Sequence, residues 1–369
     1  MMSLSSTHLG IEVLAYDVST KQVINPVTFE VSDSTLEQEV AQSFAITAEF
    51  EHIPEDVLTI CESSGKFYPG AQSIATGGDR SKEKALLDNT QVPCAPYALI
   101  TEKNHFLAAV EKLGMPLVIK TCQAGYDGKG QWRLKSEDEI DQIWSEMESF
   151  IASGTVSTPH SIIAEKMIPF DREVSIIGVR SKNGECKVYP LTENQHTNGV
   201  LTLSIAGKEK AAIQEQAESA FQKLATELDY VGVLAIEFFD VGGQLLVNEI
   251  APRVHNSGHW TQQGCHTSQF ENHMRAITGL PTGCTKLVRP TAMINVLGQQ
   301  SIPHTVLTVA GCTSHWYGKE AKPGRKMGHI NVSADNLHQL GERLAELADI
   351  LPEDDYPGVL DTSHALILN

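Results

Sequence analysis

Two apolar segments, residues 231–240 and 244–251, flank the turn signal Gly242-Gly243, and each carries one glutamate, Glu237 on the first and Glu249 on the second. Strand-forming residues around a glycine pair specify a β-hairpin. A hairpin that folds about Gly243 sets the two glutamates face to face. Like charges opposed on a ladder are destabilising, so an anionic pair in an otherwise apolar sheet needs a cation beside it. A divalent metal carrying phosphates is the economical answer, because hard cations combine carboxylate oxygens with phosphate oxygens. Two solvated carboxylates on an exposed face are the plain alternative. The run after Glu249 weighs against it: Arg253, His255, Asn256, Ser257, Gly258 and His259 bring more functional side chains than an ordinary loop holds.

A phosphate ligand needs local cations here, since the formal net charge of -18 argues against a general affinity for nucleic acid or anionic membrane. The chain has 369 residues, 41% hydrophobic and 20% charged, which suits two or three domains with proper cores and excludes disorder. Its seven cysteines, scattered and without a C-x-x-C pair, read as reduced thiols. No apolar run approaches the roughly 18 residues of a membrane span, and the first residues lack signal-peptide regions. The expected location is therefore the cytoplasm.

The first third alternates short apolar segments, read as strands at 11–16, 43–47 and 58–61, with helical ones. Asp79 caps a helix over 80–88, and Pro93 and Pro96 close the unit near residue 95. The middle reads as strand 117–120, a glycine-rich turn, strand 131–134, helix 137–150, and strands 162–167 and 173–179, which makes a small α+β lobe. A long polar segment, a helix over 208–228 and the hairpin follow. Beyond them lie a helix at 268–277, strands at 292–297, 306–310 and 314–317, and a helix at 336–350.

Three constellations carry chemistry. Gly125, Gly128 and Gly130, in the stretch Gly125-Tyr126-Asp127-Gly128-Lys129-Gly130-Gln131, let backbone amides point into one concave turn that suits phosphate oxygens. This is not a P-loop, because no G-K-S/T ending and no immediate helix follow. Lys120 ends the strand that enters the loop and supplies a point charge for anionic oxygens. Glu165, Lys166, Met167 and Ile168 finish a strand, and Glu173 begins the next, offering backbone groups to a flat base and a carboxylate to sugar hydroxyls.

These motifs resemble the ATP-grasp superfamily. Arg253-Val254-His255-Asn256-Ser257-Gly258-His259-Trp260, together with His315-Trp316-Tyr317 and Lys322-Pro323-Gly324-Arg325-Lys326-Met327-Gly328-His329, is similar more narrowly to the 5-(carboxyamino)imidazole ribonucleotide synthase family of de novo purine synthesis. The resemblance runs from about Leu9 onward. It implies an α/β and α+β multidomain architecture: a Rossmann-like N-terminal domain at 1–95, an ATP-grasp domain at 96–289 with a lid lobe at about 117–180, and a small C-terminal domain at 290–369.

It further implies that Arg80, Lys120, the 125–131 loop, Glu165, Lys166, Met167, Ile168, Glu173 and His196 bind ATP, with backbone near Lys166 and Ile168 reading adenine and Glu173 the ribose. Glu237 and Glu249, helped by Asn248, would hold magnesium or manganese. Glu49, Tyr126, Lys129, Arg253, His255, Asn256, Ser257, Lys319, Arg325 and Lys326 match the site for aminoimidazole ribonucleotide and bicarbonate, and Asp127, Arg253, His255, Lys319 and Arg325 match catalytic positions. Transfer of the γ-phosphoryl group to bicarbonate makes its hydroxyl a leaving group, and the carboxyphosphate formed must be shielded from water. Asp127 and His255 both qualify as the base that manages the amine proton. Relatives suggest a homodimer.

Relatives also begin with a strand and a G-x-G-Q-L-x-R-M turn, whereas Met1 and Met2 stand where that motif would be ending. The expectation is that the first strand is missing through a start assigned too far downstream or a shortened chain, and that a version extended upstream is more stable and more active.

Overall fold

The computed structural model describes residues 1–123, 130–152, 162–208 and 211–368. Among the described residues a nine-stranded sheet organises the molecule. Its order runs Gln244–Ala251, Gly232–Val241, Arg172–Arg180, Thr192–Thr197, Val200–Ala206, Thr291–Leu297, Lys326–Ser333 and Cys312–Trp316, with Cys186–Val188 paired beside Arg172–Arg180. Every pairing in it is antiparallel. The C-terminal strands therefore continue the sheet of the hairpin through the pairing of Val200–Ala206 with Thr291–Leu297.

Alternation along the strands decides what covers each face. Leu234, Ile236 and Phe238 share a core with Val174 and Ile176 and with Phe221 and Leu224 of helix Ala211–Glu227. Gly178 makes that approach close, since a Cβ there would fall 2.4 Å from two ring carbons of Phe221. On the opposite face Val233, Ala235, Ile177 and Val179 pack with Phe270, Met274 and Ile277 of helix Gln269–Thr278. The same face turns polar one step further along: Glu237 follows Ala235, and Ser175 and Glu173 take the place of Ile177. Glu237 lies across from Ser175, and Glu173 lies between Phe239 and Asn194. The apolar part of the face is packed against a helix, and its far end is polar.

A second sheet, in the order Tyr97–Ile100, Ile162–Lys166, Leu117–Thr121 and Gln131–Leu134, is covered by helices Lys103–Leu113 and Ile140–Ala152 around Phe106, Trp144 and Met147. It holds the expected strands at 117–120, 131–134 and 162–167 and the helix at 137–150, and it adds Tyr97–Ile100; the expected strand 173–179 is not part of it, since Arg172–Arg180 pairs with Gly232–Val241 in the nine-stranded sheet. Helices Leu337–Ala348 and Val359–Leu368 cover the C-terminal strands.

Several expectations change. Residues 58–61 lie within helix Glu55–Ser63, whose first turn carries Glu55 and Asp56 after Pro54. A four-residue apolar run does not distinguish a strand from a helical face. The 43–47 segment forms no strand and makes one parallel bridge, Ile46 to Phe67, while only Ala15–Asp17 of the first expected strand pairs, with Gln22–Ile24. Residues 306–308 belong instead to the 3-10 turn His304–Thr308 that follows Pro303, and 309–310 lie just past its end. The polar segment before helix Ala211–Glu227 contains three strands, two of them joined at Asn198-Gly199, both with positive φ. Asn-Gly is a hairpin signal; it was obscured because Glu193, Asn194 and His196 break the apolar alternation of Thr192–Thr197.

Candidate active site

Glu237 and Glu249 are direct cross-strand partners, as the sequence implies, but the register arises differently. The turn is a two-residue one at Gly242 and Gly243, φ 60° and 87°, which pairs Val241 with Gln244 and Phe238 with Val247. Continued regularly, that register would set Glu237 against Asn248. A bulge between Glu237 and Phe238 brings Glu249 into line, and Asn248 is the extra residue. Val247 and Ile250 stay buried while Asn248 and Glu249 between them do not, so the bulge turns two consecutive polar side chains to the Glu237 face.

Ligand atoms of Glu237, Glu249 and His255 lie within 4.8 Å of one another. Burial first, and Glu249 second, push the Glu237 carboxyl up to about 7. Two clustered carboxylates that resist carrying charge together fit a hard divalent cation, which favours the ionised form of both. His255, 8% exposed, places Nε2 3.7 Å from Glu237 Oε1. Burial, then the charges of Arg253 and Lys326, hold its imidazole well below the usual histidine range, so the ring is neutral.

Lys120 lies on Leu117–Thr121, and its Nζ is 2.7 Å from Glu165 Oε2. The other carboxylate oxygen is 2.7 Å from Nζ of Lys84, a lysine only 1% exposed. Burial opposes the Glu165 charge, but Lys120 and Lys84 outweigh it and hold the carboxyl at about 2. The Glu165 side chain is thus a clamp that positions Lys120. Arg80 donates from Nη1 to the Thr121 carbonyl at 3.1 Å, beside the same strand. Glu173 Oε2 and His196 Nδ1 are 2.6 Å apart, which joins two of the expected nucleotide residues. The Lys166 and Met167 amides donate to Pro96 and Pro116, so neither is free to read a base. The Ile168 amide, among the described residues, has no backbone partner. Gly130 and Gln131 begin the return strand, with the Gly130 carbonyl accepting from Thr121 N at 2.9 Å. Gly125, Tyr126, Asp127, Gly128 and Lys129 lie outside the described residues.

Several of the described second-substrate candidates are held by neighbours. Arg253 Nε is 2.8 Å from Glu51 Oε1. Asn256 exchanges amide hydrogen bonds with Asn295 at 2.9 and 2.6 Å. Lys319 sits over the Tyr317 ring, 5.2 Å to the centroid. Partial burial and then Arg325 lower its affinity for a proton, with Glu49 opposing, so both of these expected residues act on Lys319. Arg325 also donates to the Glu320 carbonyl of its own turn. Lys326 opens the strand Lys326–Ser333 and acts electrostatically on Glu237 and His255. Behind this wall the rings of His315 and His329 stack at 4.4 Å, with His259 4.9 Å from His329.

Sequence reasoning missed Lys84, Ser175 and Asn194. Lys84 lies mid-helix and looks like any solvated lysine. Asn194 had one available signal, the Asn198-Gly199 turn that marks its strand.

The arrangement matches known proteins throughout its length. A family model described as the ATP-grasp domain matches residues 85–270, and one described as the phosphoribosylaminoimidazole carboxylase C-terminal domain matches 291–343. The N5-carboxyaminoimidazole ribonucleotide synthase of Vibrio vulnificus (strain CMCP6) is 55% identical over 360 residues, 97% of this chain and 94% of its own. The crystal structure of N5-carboxyaminoimidazole ribonucleotide synthetase from Thermus thermophilus superposes with a TM-score of 0.79 at 35% identity, covering 96% of each chain. The Aspergillus clavatus synthase, solved in complex with ADP and 5-aminoimidazole ribonucleotide, gives a TM-score of 0.80 at 28% identity over 95% of this chain and 94% of its own. The chain therefore belongs to the N5-carboxyaminoimidazole ribonucleotide synthase family of ATP-grasp enzymes.

Proposed function

We propose that this protein is an ATP-dependent carbon–nitrogen ligase of purine biosynthesis, which carboxylates the amine of 5-aminoimidazole ribonucleotide with bicarbonate and releases ADP and phosphate. The observation that carries the reading is the facing pair Glu237 and Glu249, set by the Asn248 bulge against His255 and within the field of Lys326. Glu237 and Glu249 would hold a magnesium or manganese ion, which when bound neutralises phosphate charge. The chain's own residues do the rest. Lys120, fixed by Glu165, presents an ammonium to phosphate oxygens, and Arg80 lies beside it. The Glu173 and His196 pair serves the ribose, and the Ile168 amide the base.

A bicarbonate oxygen attacks the γ-phosphorus, the bond to the β,γ-bridging oxygen breaks, and ADP leaves. Carboxyphosphate then splits to carbon dioxide and phosphate, and the substrate amine adds to the carbon while losing one proton. Arg253, His255, Asn256, Lys319, Arg325 and Lys326 supply donors and positive charge for bicarbonate and the ribose phosphate, and Ser257 supports His255 from behind. The test is ADP release with bicarbonate, measured with and without aminoimidazole ribonucleotide. Strong stimulation by that substrate is expected, and its absence refutes the reading. Glu249→Gln should abolish turnover in a protein with an unchanged circular dichroism spectrum, and chelation of divalent ions should stop the wild type.

A further inference from the structure

We propose that Asn194, Ser175 and Ser257 form a one-way hydrogen-bond relay that holds His255 as the tautomer protonated on Nε2, so that the ring meets Glu237 and a nearby anionic oxygen only as a donor. The backbone reports the direction through a long contact, and the shorter side-chain bonds enforce it. The backbone N–H of Ser257 points at His255 Nδ1 from 3.4 Å, and an amide N–H only donates. Nδ1 is therefore an acceptor, and the one ring proton is on Nε2.

The side chains continue the same polarity outward. Ser257 Oγ lies 2.9 Å from Nδ1 and donates to it. Its lone pairs then accept from Ser175 Oγ at 2.8 Å. Ser175 in turn accepts from Asn194 Nδ2 at 2.9 Å, and Asn194 Oδ1 accepts from Ser204 Oγ at 2.8 Å. Each side-chain junction joins one donor to one acceptor, and at Nδ1 the longer backbone contact shares that acceptor. Ser175, Ser204 and Ser257 are 0% exposed and Asn194 is 4% exposed, so no solvent exchanges partners along the chain. A partly satisfied buried network is costly, which makes a fully satisfied one a strong constraint on orientation.

Two roles are thereby excluded for the free enzyme. Nε2, 3.7 Å from Glu237 Oε1, carries a proton and has no lone pair for a metal. Of the three groups that converge, the two carboxylates are left as ligands. Nor is Nε2 a base for the substrate amine until its own proton has moved. Ser175 and Asn194 are positioning residues, acting through a ring they hold from behind. The identity of the anionic oxygen rests on the proposed ligase reaction, whereas the tautomer does not.

The experiment is a long-range 1H–15N correlation spectrum of full-length enzyme labelled in histidine nitrogen, at neutral pH without substrate. His255 is assigned by the resonances lost in His255→Gln. Protonated Nε2 and bare Nδ1 are expected, and a proton on Nδ1 overturns the proposal. Asn194→Asp replaces the relay's amide donor by an acceptor and should place a proton on Nδ1, as a swapped tautomer or a doubly protonated ring. A bare Nδ1 in folded Asn194→Asp removes Asn194 and Ser175 from the relay and overturns it. Should that variant not fold, Ser257→Ala and Ser257→Thr decide through kinetics. Loss of the hydroxyl should lower kcat at least tenfold with the KM for ATP unchanged, and threonine should restore it. A raised KM with normal kcat, or no rescue by threonine, counts against the relay. Because the tautomer is read without turnover, a failed ligase assay and a failed relay are distinguishable.

Discussion

Replacing Lys84 with methionine removes a charge that no solvent reaches and that two carboxylates share. Its Nζ is 2.7 Å from Glu165 Oε1 and 4.0 Å from Glu83 Oε1, and the residue is 1% exposed. Methionine fills a similar volume, so lost packing contributes little. Holding Glu165 at about 2 rather than 4.5 corresponds to about 3 kcal/mol at neutral pH, shared between Lys120 and Lys84. Glu83 is already pushed up to about 7, by burial first, and Lys84 is the main charge opposing that rise. Losing Lys84 leaves Glu165 with Lys120 alone and Glu83 without its main opposing charge, which falls at the lower end of the range for a broken buried pair, about 3–5 kcal/mol. A net loss of about 3 kcal/mol at pH 7.5 is expected from urea unfolding. The sign with pH follows from the carboxylates: without Lys84 both are easier to protonate when folded, so the deficit shrinks as pH falls toward 5. Lys84→Met combined with Glu83→Gln should recover at least about 1 kcal/mol, because the carboxylate left without its main cation is then removed while Glu165 keeps Lys120. A single-variant loss below about 1 kcal/mol, or a double variant no more stable than Lys84→Met, would refute the shared-charge argument.

Other consequences are open to measurement. Gly178→Ala drives a methyl into the Phe221 ring and should cost about 2 kcal/mol in chemical denaturation; an unchanged midpoint would mean that the helix does not lie where it is placed. Gly243→Ala, at φ 87°, should cost about 1 kcal/mol and leave the Glu237 pairing intact. His273 accepts from Val233 N at 3.0 Å and lies 2.8 Å from Thr47 Oγ1, and burial lowers its pKa from 6.5 to about 4. The unfolded chain binds the proton more tightly, so its contribution, up to about 3 kcal/mol, is present above pH 6.5 and lost as pH falls toward 4. His273→Gln should flatten the dependence of Tm on pH across that window; parallel curves for the two proteins would disprove this source.

The sequence by itself determined the chemistry of the site. A glycine pair between apolar arms specifies a hairpin, and an acid on each arm calls for a cation, because these signals are local and follow the strand period. The same holds for Asp79 as the cap of helix Arg80–Thr90 and for Lys120 at a strand beside a glycine turn. Only the tertiary structure decided how those groups are held. Periodicity near Gly243 anticipates the pairing of Glu237 with Glu249, yet the tight turn needs the Asn248 bulge to achieve it, and a bulge leaves no period to read. Lys84 meets Glu165 across 81 positions, and Ser175 meets Ser257 across 82. Contacts of that span are set by which helices, turns and strands become neighbours in the fold, and no local pattern of residues records that choice.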